Sequence, residues 1–213
     1  MEFIAEELDD YICQHTSVEP TLLYELNRET HLKVLQPRML SGHFQGRFLS
    51  MLSHLIRPKN VLEIGTYTGY SALCLLEGLA SNGKITTIDI NEELEDIVRK
   101  YISKAGAQDK INYLIGDALE LIPQLEEDFD LVFIDADKNN YVRYYDLVID
   151  RLKSGAYILT DNVLWSGKVI EDLKENDLDT KAIIEFNEKV VNDPRVETIM
   201  LPIRDGLMIT RKK

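Results

Sequence analysis

The chain predicts a single α/β domain on a seven-stranded mixed sheet, and three observations predict it. From residue 60, short β-rich runs alternate with helical windows, the order that builds a parallel sheet with helices on both faces. The last two runs are joined by a short turn containing Asp205 and Gly206, which makes them a hairpin and the final strand antiparallel. Residues 1–57 carry helical spacing instead, ahead of an α/β core over 58–213.

Taken in order, Phe3, Ile4, Leu8, Tyr11 and Ile12 fall near helical spacing. Leu22, Leu23, Leu26 and His31 repeat it after Pro20. Gly42 to Ile56, with Phe44, Phe48, Leu49, Leu52 and Leu55, forms a third amphipathic segment. Strands are expected at Val61–Ile64, Ile85–Asp89, Ile111–Ile115, Leu131–Asp135 and Tyr157–Asp161, then at Val196–Ile203 and Leu207–Arg211. Ser71–Leu79, Glu92–Lys104 and Tyr141–Leu152 are long enough for crossover helices.

Composition narrows the functional classes. A formal charge of −13 over 213 residues argues against non-specific binding to nucleic acid or to an anionic membrane. Cys13 and Cys74 form no disulfide framework, and reduced thiols in a cytoplasmic protein are expected. The start, MEFIAEELDD, has no signal-peptide core, and no apolar run reaches the ~20 residues that span a bilayer.

In open sheets of this kind, ligands sit beyond the carboxyl ends of the strands. All five expected parallel strands end at or beside an acidic residue: Glu63, Asp89, Asp117, Asp135 and Asp161. In VLEIGTYTGYS, Gly65 and Gly69 allow a tight strand-to-helix turn with close backbone approach. The spacing is G-x-x-x-G, without a dinucleotide fold's third glycine, and Glu63 would repel a pyrophosphate. A positively charged cofactor without phosphate, such as S-adenosylmethionine, fits better. Asp89 is placed for ribose hydroxyls and Asp117 for an adenine edge. Asp117 with Glu120 also matches a helix capping box, and Asp89 with Asn91 reads equally as cap chemistry.

Asp135 and the pair Asp161-Asn162 end consecutive parallel strands, so they should lie side by side. Two carboxylates and an amide oxygen are hard ligands, suited to Mg²⁺, Ca²⁺ or Mn²⁺ rather than zinc. Such a cation would relieve the repulsion between the crowded carboxylates. Lys138 follows closely, at a helix start where it can pair with Asp135 or Asp137.

LEIGTYTGYSAL (62–73), IDADKNNY (134–141), TDNVLWSGKV (160–169) and PIRDGL (202–207) together resemble the cation-dependent, S-adenosylmethionine-dependent O-methyltransferases. That family contains the caffeoyl-CoA and catechol enzymes and small bacterial relatives. The resemblance implies a Rossmann-like class I methyltransferase fold, commonly a homodimer. It implies Asp135, Asp161 and Asn162 as metal ligands and Lys138 as general base. It places Met39, Ser41, Glu63, Gly65, Tyr70, Ser71, Asp89 and Ala118 at cofactor positions, with Asp117, Asp135 and Asp137 beside them. Leu164 and Trp165 follow the ligand pair and are placed either to wall the acceptor pocket or to pack as core. Arg204 departs from the caffeoyl-CoA pattern, which has Gly there, and falls on a loop near that pocket.

The implied reaction methylates a hydroxyl of a small catechol-like aromatic. A 5-hydroxyuridine at the wobble position of transfer RNA is the alternative acceptor, since its two neighbouring oxygens also chelate. A module that holds the cofactor without catalysis is a third reading, and a nicotinamide dehydrogenase a weaker fourth.

Overall fold

The computed structural model describes residues 5–213; Phe3 and Ile4 of the first expected helix lie outside them. In chain order the elements are α1 (Glu6–Gln14), α2 (Thr21–Lys33), α3 (Gly42–Ile56), β1 (Asn60–Ile64), α4 (Tyr70–Leu76), β2 (Lys84–Asp89), α5 (Glu95–Lys104), β3 (Ile111–Ile115), α6 (Ala118–Leu121), β4 (Phe129–Ile134), α7 (Tyr141–Ile149), β5 (Leu152–Asp161), α8 (Leu178–Val191), β6 (Val196–Leu201) and β7 (Leu207–Lys212). Hydrogen bonding orders the strands β3-β2-β1-β4-β5-β7-β6 in a seven-stranded mixed sheet. The expected terminal hairpin is present, with β7 antiparallel to both β5 and β6. Among the described residues no helix is long and apolar enough to cross a membrane.

Several boundaries differ from the sequence expectation. The window at 92–104 divides into a 3-10 turn, Glu92–Leu94, and α5, because Asn91 accepts the Glu93 N–H at 3.0 Å and caps a short turn first. β5 begins five residues earlier than Tyr157, at Leu152. α8 lies outside the helical windows named from the sequence. Its buried residues, Thr180, Ile183, Phe186 and Val190, hold helical spacing but sit among polar neighbours that mask it.

Contacts divide the chain into two compact units. One comprises residues 5–59 together with Thr66–Gly116. Within it α3 packs closely on α4, and the face it buries shares only Leu49 with the one its apolar residues mark. Gln45, Gly46, Leu49, Ser50 and Ser53 are buried, whereas Phe44, Phe48 and Leu52 are half-buried and Leu55 is exposed. Small side chains let the helices approach: a Cβ on Gly46 would stand 2.6 Å from the Tyr70 ring. Polar ones then find partners across the contact. Arg47 forks onto Glu77 at 2.7 and 2.8 Å, Ser50 donates to Glu77 at 2.6 Å, and Ser53 donates to the Leu75 carbonyl at 2.6 Å.

α2 and α5 are joined through Glu29, which accepts from Lys100, from Lys33 at 2.8 Å and from Tyr101 at 2.9 Å. Hydrogen bonds from Lys100, then from Lys33, hold the Glu29 carboxyl down at about 2, below its ordinary 4.5. A depressed folded value stabilises the fold fully above the ordinary value and loses that contribution as pH falls through the folded one. The stability gap between wild type and Glu29→Gln should therefore be full above pH 4.5 and close as pH falls toward about 2, as thermal melts across that range would show. A gap independent of pH would refute it.

The second unit includes Asn60–Gly65 and Asp117–Lys213. Its core is the parallel set β1-β4-β5, with Val132, Phe133, Ile134, Ile158 and Leu159 buried. Asp130 accepts the Asn60 N–H at 2.9 Å, tying the start of β1 to β4. α8 packs on α7, with Phe186 edge-on to the Tyr141 ring at 5.5 Å between centroids.

Candidate active site

The register places the acidic strand ends together. Ile134 on β4 lies opposite Thr160 on β5, so the next residues, Asp135 and Asp161, leave adjacent strand tips. Asp135 also donates its N–H to the Ile64 carbonyl at 2.9 Å, which extends the β1–β4 ladder by one rung. Gly65 closes the third side. Its φ is +99°, and a Cβ there would lie 1.9 Å from the Asp135 carbonyl oxygen.

Lys138 stands at the centre of this arrangement. Its Nζ donates to Asn162 Oδ1 at 2.7 Å, to Tyr141 OH at 2.6 Å and to the Ala136 carbonyl at 2.8 Å, with Asp135 Oδ1 at 3.3 Å. Two of the three residues expected as metal ligands thus already share one cation, the lysine's own ammonium. Asp161 is buried and accepts the Asn162 N–H on Oδ1 at 2.8 Å. That bond holds Asn162 in the left-handed region, φ +61°, which asparagine tolerates better than most residues. Among the described residues no three His, Cys, Asp or Glu side chains are grouped as metal ligands. The oxygen set here is two carboxylates and an amide, and its chemistry fits a hard cation.

Tyr141 is a residue the sequence reading passed over. Fully buried, it accepts from Lys138 and donates to the Asp161 carbonyl at 3.1 Å. Burial, then the charges of Asp135, Asp161 and Asp137, push its phenol well above the ordinary tyrosine value. It therefore stays a neutral link between the ammonium and the β5 tip. Its position three residues after Lys138 in IDADKNNY was the available signal.

Trp165 lies over the same ammonium, with Lys138 Nζ 5.8 Å from its ring and 4.8 Å from the Tyr141 ring. Trp165 and Ser166 are left-handed at φ +48° and +54°, and Gly167 follows at +81°. Left-handed backbone costs a non-glycine residue about 1–2 kcal/mol, so specific contacts must hold it. Leu164, half-buried, donates its N–H to the Asp205 carbonyl at 2.9 Å. Arg204 is exposed and also left-handed, φ +49°.

The expected cofactor residues fall in both units. In the unit of α2 to α5, Asp89 ends β2 with both carboxylate oxygens oriented by backbone: Tyr67 N–H reaches Oδ2 at 2.6 Å and Asn91 N–H reaches Oδ1 at 2.9 Å. Each oxygen keeps a lone pair for a further donor. Tyr70 and Ser71 are buried in the first turn of α4, where Tyr70 OH donates to Glu19. Ser41 is buried before α3, while Met39 is 55% exposed. In the other unit Glu63 is fully buried on β1 and Ala118 is buried at the start of α6. Asp117 caps α6 by accepting the Leu119 N–H at 2.8 Å, so the capping alternative holds for its Oδ1. Asp137 is exposed and accepts from Tyr144 OH and, at 2.6 Å, from Asn140 Nδ2.

A protein-family profile described as O-methyltransferase matches residues 13–213. The chain is 39% identical to caffeoyl-CoA O-methyltransferase 5 of Nicotiana tabacum, over 98% of this chain and 92% of that protein. It is 40% identical to the caffeoyl-CoA O-methyltransferase of Petroselinum crispum, over 98% and 91%. Among solved structures, the O-methyltransferase of Bacillus cereus in complex with SAH superposes with a TM-score of 0.90 at 31% identity, covering 97% of each chain. The SAH-bound methyltransferase PaMTH1 of Podospora anserina gives 0.89 at 28%, covering 100% of this chain and 98% of that one.

Proposed function

We propose that this chain, which belongs to the O-methyltransferase family, methylates a hydroxyl of a catechol-like acceptor with the help of a divalent cation. It is an S-adenosylmethionine-dependent O-methyltransferase of the caffeoyl-CoA type; the metal, the acceptor and the roles of single residues are what the proposal adds. The observation that carries it is the Lys138 ammonium seated between Asp135 and Asn162 at neighbouring strand tips.

Asp135, Asp161 and Asn162 would hold Mg²⁺, Mn²⁺ or Ca²⁺. Bound there, the ion would supply Lewis acidity, lowering the pKa of a phenolic hydroxyl from about 10. S-adenosylmethionine supplies the methyl group. Lys138, released from Asn162 and having first given up one ammonium proton to solvent, receives the acceptor's proton as a neutral amine, and Tyr141 keeps that amine pointed at the strand tips. Trp165 covers that amine and excludes water from it. Glu63, Gly65, Tyr70, Ser71, Asp89, Asp117 and Ala118 serve the cofactor, together with Met39, Ser41 and Asp137. Asp89, with both oxygens already oriented by backbone N–H groups, is the ribose acceptor. Leu164, Trp165 and Arg204 belong to the acceptor side.

Methyl transfer from labelled cofactor to a catechol panel, with and without chelator, tests the reading; transfer RNA bearing 5-hydroxyuridine is the other acceptor to include. Catechol turnover should stop with chelator and return with Mg²⁺. Asp161→Ala should lose about a hundredfold or more of it while cofactor affinity stays within about twofold. Chelator-insensitive turnover, or loss of cofactor affinity along with activity, would overturn the division of roles.

A further inference from the structure

We propose that Asp205, at the turn between β6 and β7, is a positioning residue that sets Trp165 over Lys138. The proposal rests on the reading of Trp165 as a wall of the acceptor site. Asp205 reaches the segment after β5 in two ways: its carbonyl accepts the Leu164 N–H at 2.9 Å, and its carboxylate accepts the Ser166 N–H. The two bonds bracket Trp165. Next to them Gly206 accepts the Val163 N–H at 3.2 Å, and a Cβ on Gly206 would stand 2.5 Å from Leu164 Cγ. The hairpin turn therefore lies flush on residues 163–166.

Within the segment, Trp165 N–H donates to the Asn162 carbonyl at 3.2 Å and Gly167 N–H to the Leu164 carbonyl at 2.9 Å. Neither of these local bonds engages Ser166, whose backbone is left-handed like that of Trp165. The Asp205 carboxylate supplies the missing partner. Without it, Ser166 relaxes toward ordinary backbone angles, and the indole on the preceding residue swings off the ammonium. The side chain of Asp205 touches neither cofactor nor acceptor in this scheme; it acts through Trp165.

The protein contains a single tryptophan and ten tyrosines, so emission excited at the red edge, where only tryptophan absorbs, reports this segment alone. In the full chain, Asp205→Ala should shift emission to longer wavelength and raise the acrylamide quenching constant about twofold. KM for catechol should rise about tenfold and kcat should fall by a smaller factor, since Trp165 also shields the Lys138 amine, with KM for S-adenosylmethionine nearly unchanged. Asp205→Asn keeps a side-chain oxygen to accept the Ser166 N–H and should behave like wild type. Asp205→Ala combined with Ser166→Gly should recover wild-type quenching, because glycine takes the left-handed conformation at no steric cost; this pair also serves if the single variant folds poorly.

Unchanged quenching in Asp205→Ala, damage in Asp205→Asn equal to that in Asp205→Ala, or no recovery with Ser166→Gly would each overturn the proposal. If wild type methylates no catechol, the acceptor reading fails, and the quenching series alone then decides the role of Asp205.

Discussion

Lys138→Met is expected to lower turnover by about two to four orders of magnitude and, at the same time, to bind Mn²⁺ more tightly than wild type. The first effect follows from the proposed role of Lys138 as base. The second follows from geometry: the Lys138 ammonium occupies Asn162 Oδ1 at 2.7 Å and lies 3.3 Å from Asp135 Oδ1. A divalent ion on those oxygens has to displace it. Methionine keeps an apolar stem between the rings of Tyr141 and Trp165 but brings no donor, so the oxygens are left for the ion. One charge-assisted bond no longer broken is worth about 1.5 kcal/mol, or roughly a tenfold tighter dissociation constant. Calorimetric titration of the metal-free protein measures the affinity, and initial rates at saturating cofactor measure the loss. Weaker Mn²⁺ binding in the variant would mean that the lysine supports the ion rather than holding its place. Undiminished turnover would remove Lys138 from the chemistry.

Gly65→Ala should destabilise the protein by about 3–5 kcal/mol. A Cβ at this position meets the Asp135 carbonyl oxygen at 1.9 Å and its carbon at 2.7 Å, both backbone atoms. Relief requires moving Asp135, whose N–H is bonded to the Ile64 carbonyl at 2.9 Å, so the end of the β1–β4 ladder must open. The φ of +99° adds backbone strain to the clash. For a chain of this size the loss corresponds to a fall in Tm on the order of 10 °C. Gly155 is the control: its φ is +86°, yet a Cβ there would meet nothing within 4 Å, so Gly155→Ala should show the strain alone. Thermal melts of the two variants that coincide would refute the steric account.

Much of the fold was legible because its signals are local. Strand β3 matches its expected limits residue for residue, and α3 matches its own, because turns and breakers bound both. The strand-end carboxylates could be named in advance because β4 and β5 were expected to be parallel neighbours, as they are. Asn162 was legible as a neighbour of Asp161, but its left-handed backbone was not. Tyr141 was overlooked since a tyrosine at helical spacing reads first as core, which it also is. Asp205 looked like turn chemistry, and its bond to Ser166 joins segments some 40 residues apart in the chain.

By itself the sequence determined the alternation of strand and helix, the antiparallel end and the acid-tipped strands, because side-chain periodicity and turn residues act over a few positions. Only the tertiary structure decided that α3 buries Gln45, Gly46 and Ser53 in preference to Phe44 and Leu55, that Lys138 holds Asn162, and that the hairpin turn pins the segment of Trp165. Each of these depends on how closely two backbones approach, and that distance is set by whichever side chains meet across the contact, wherever they lie in the chain.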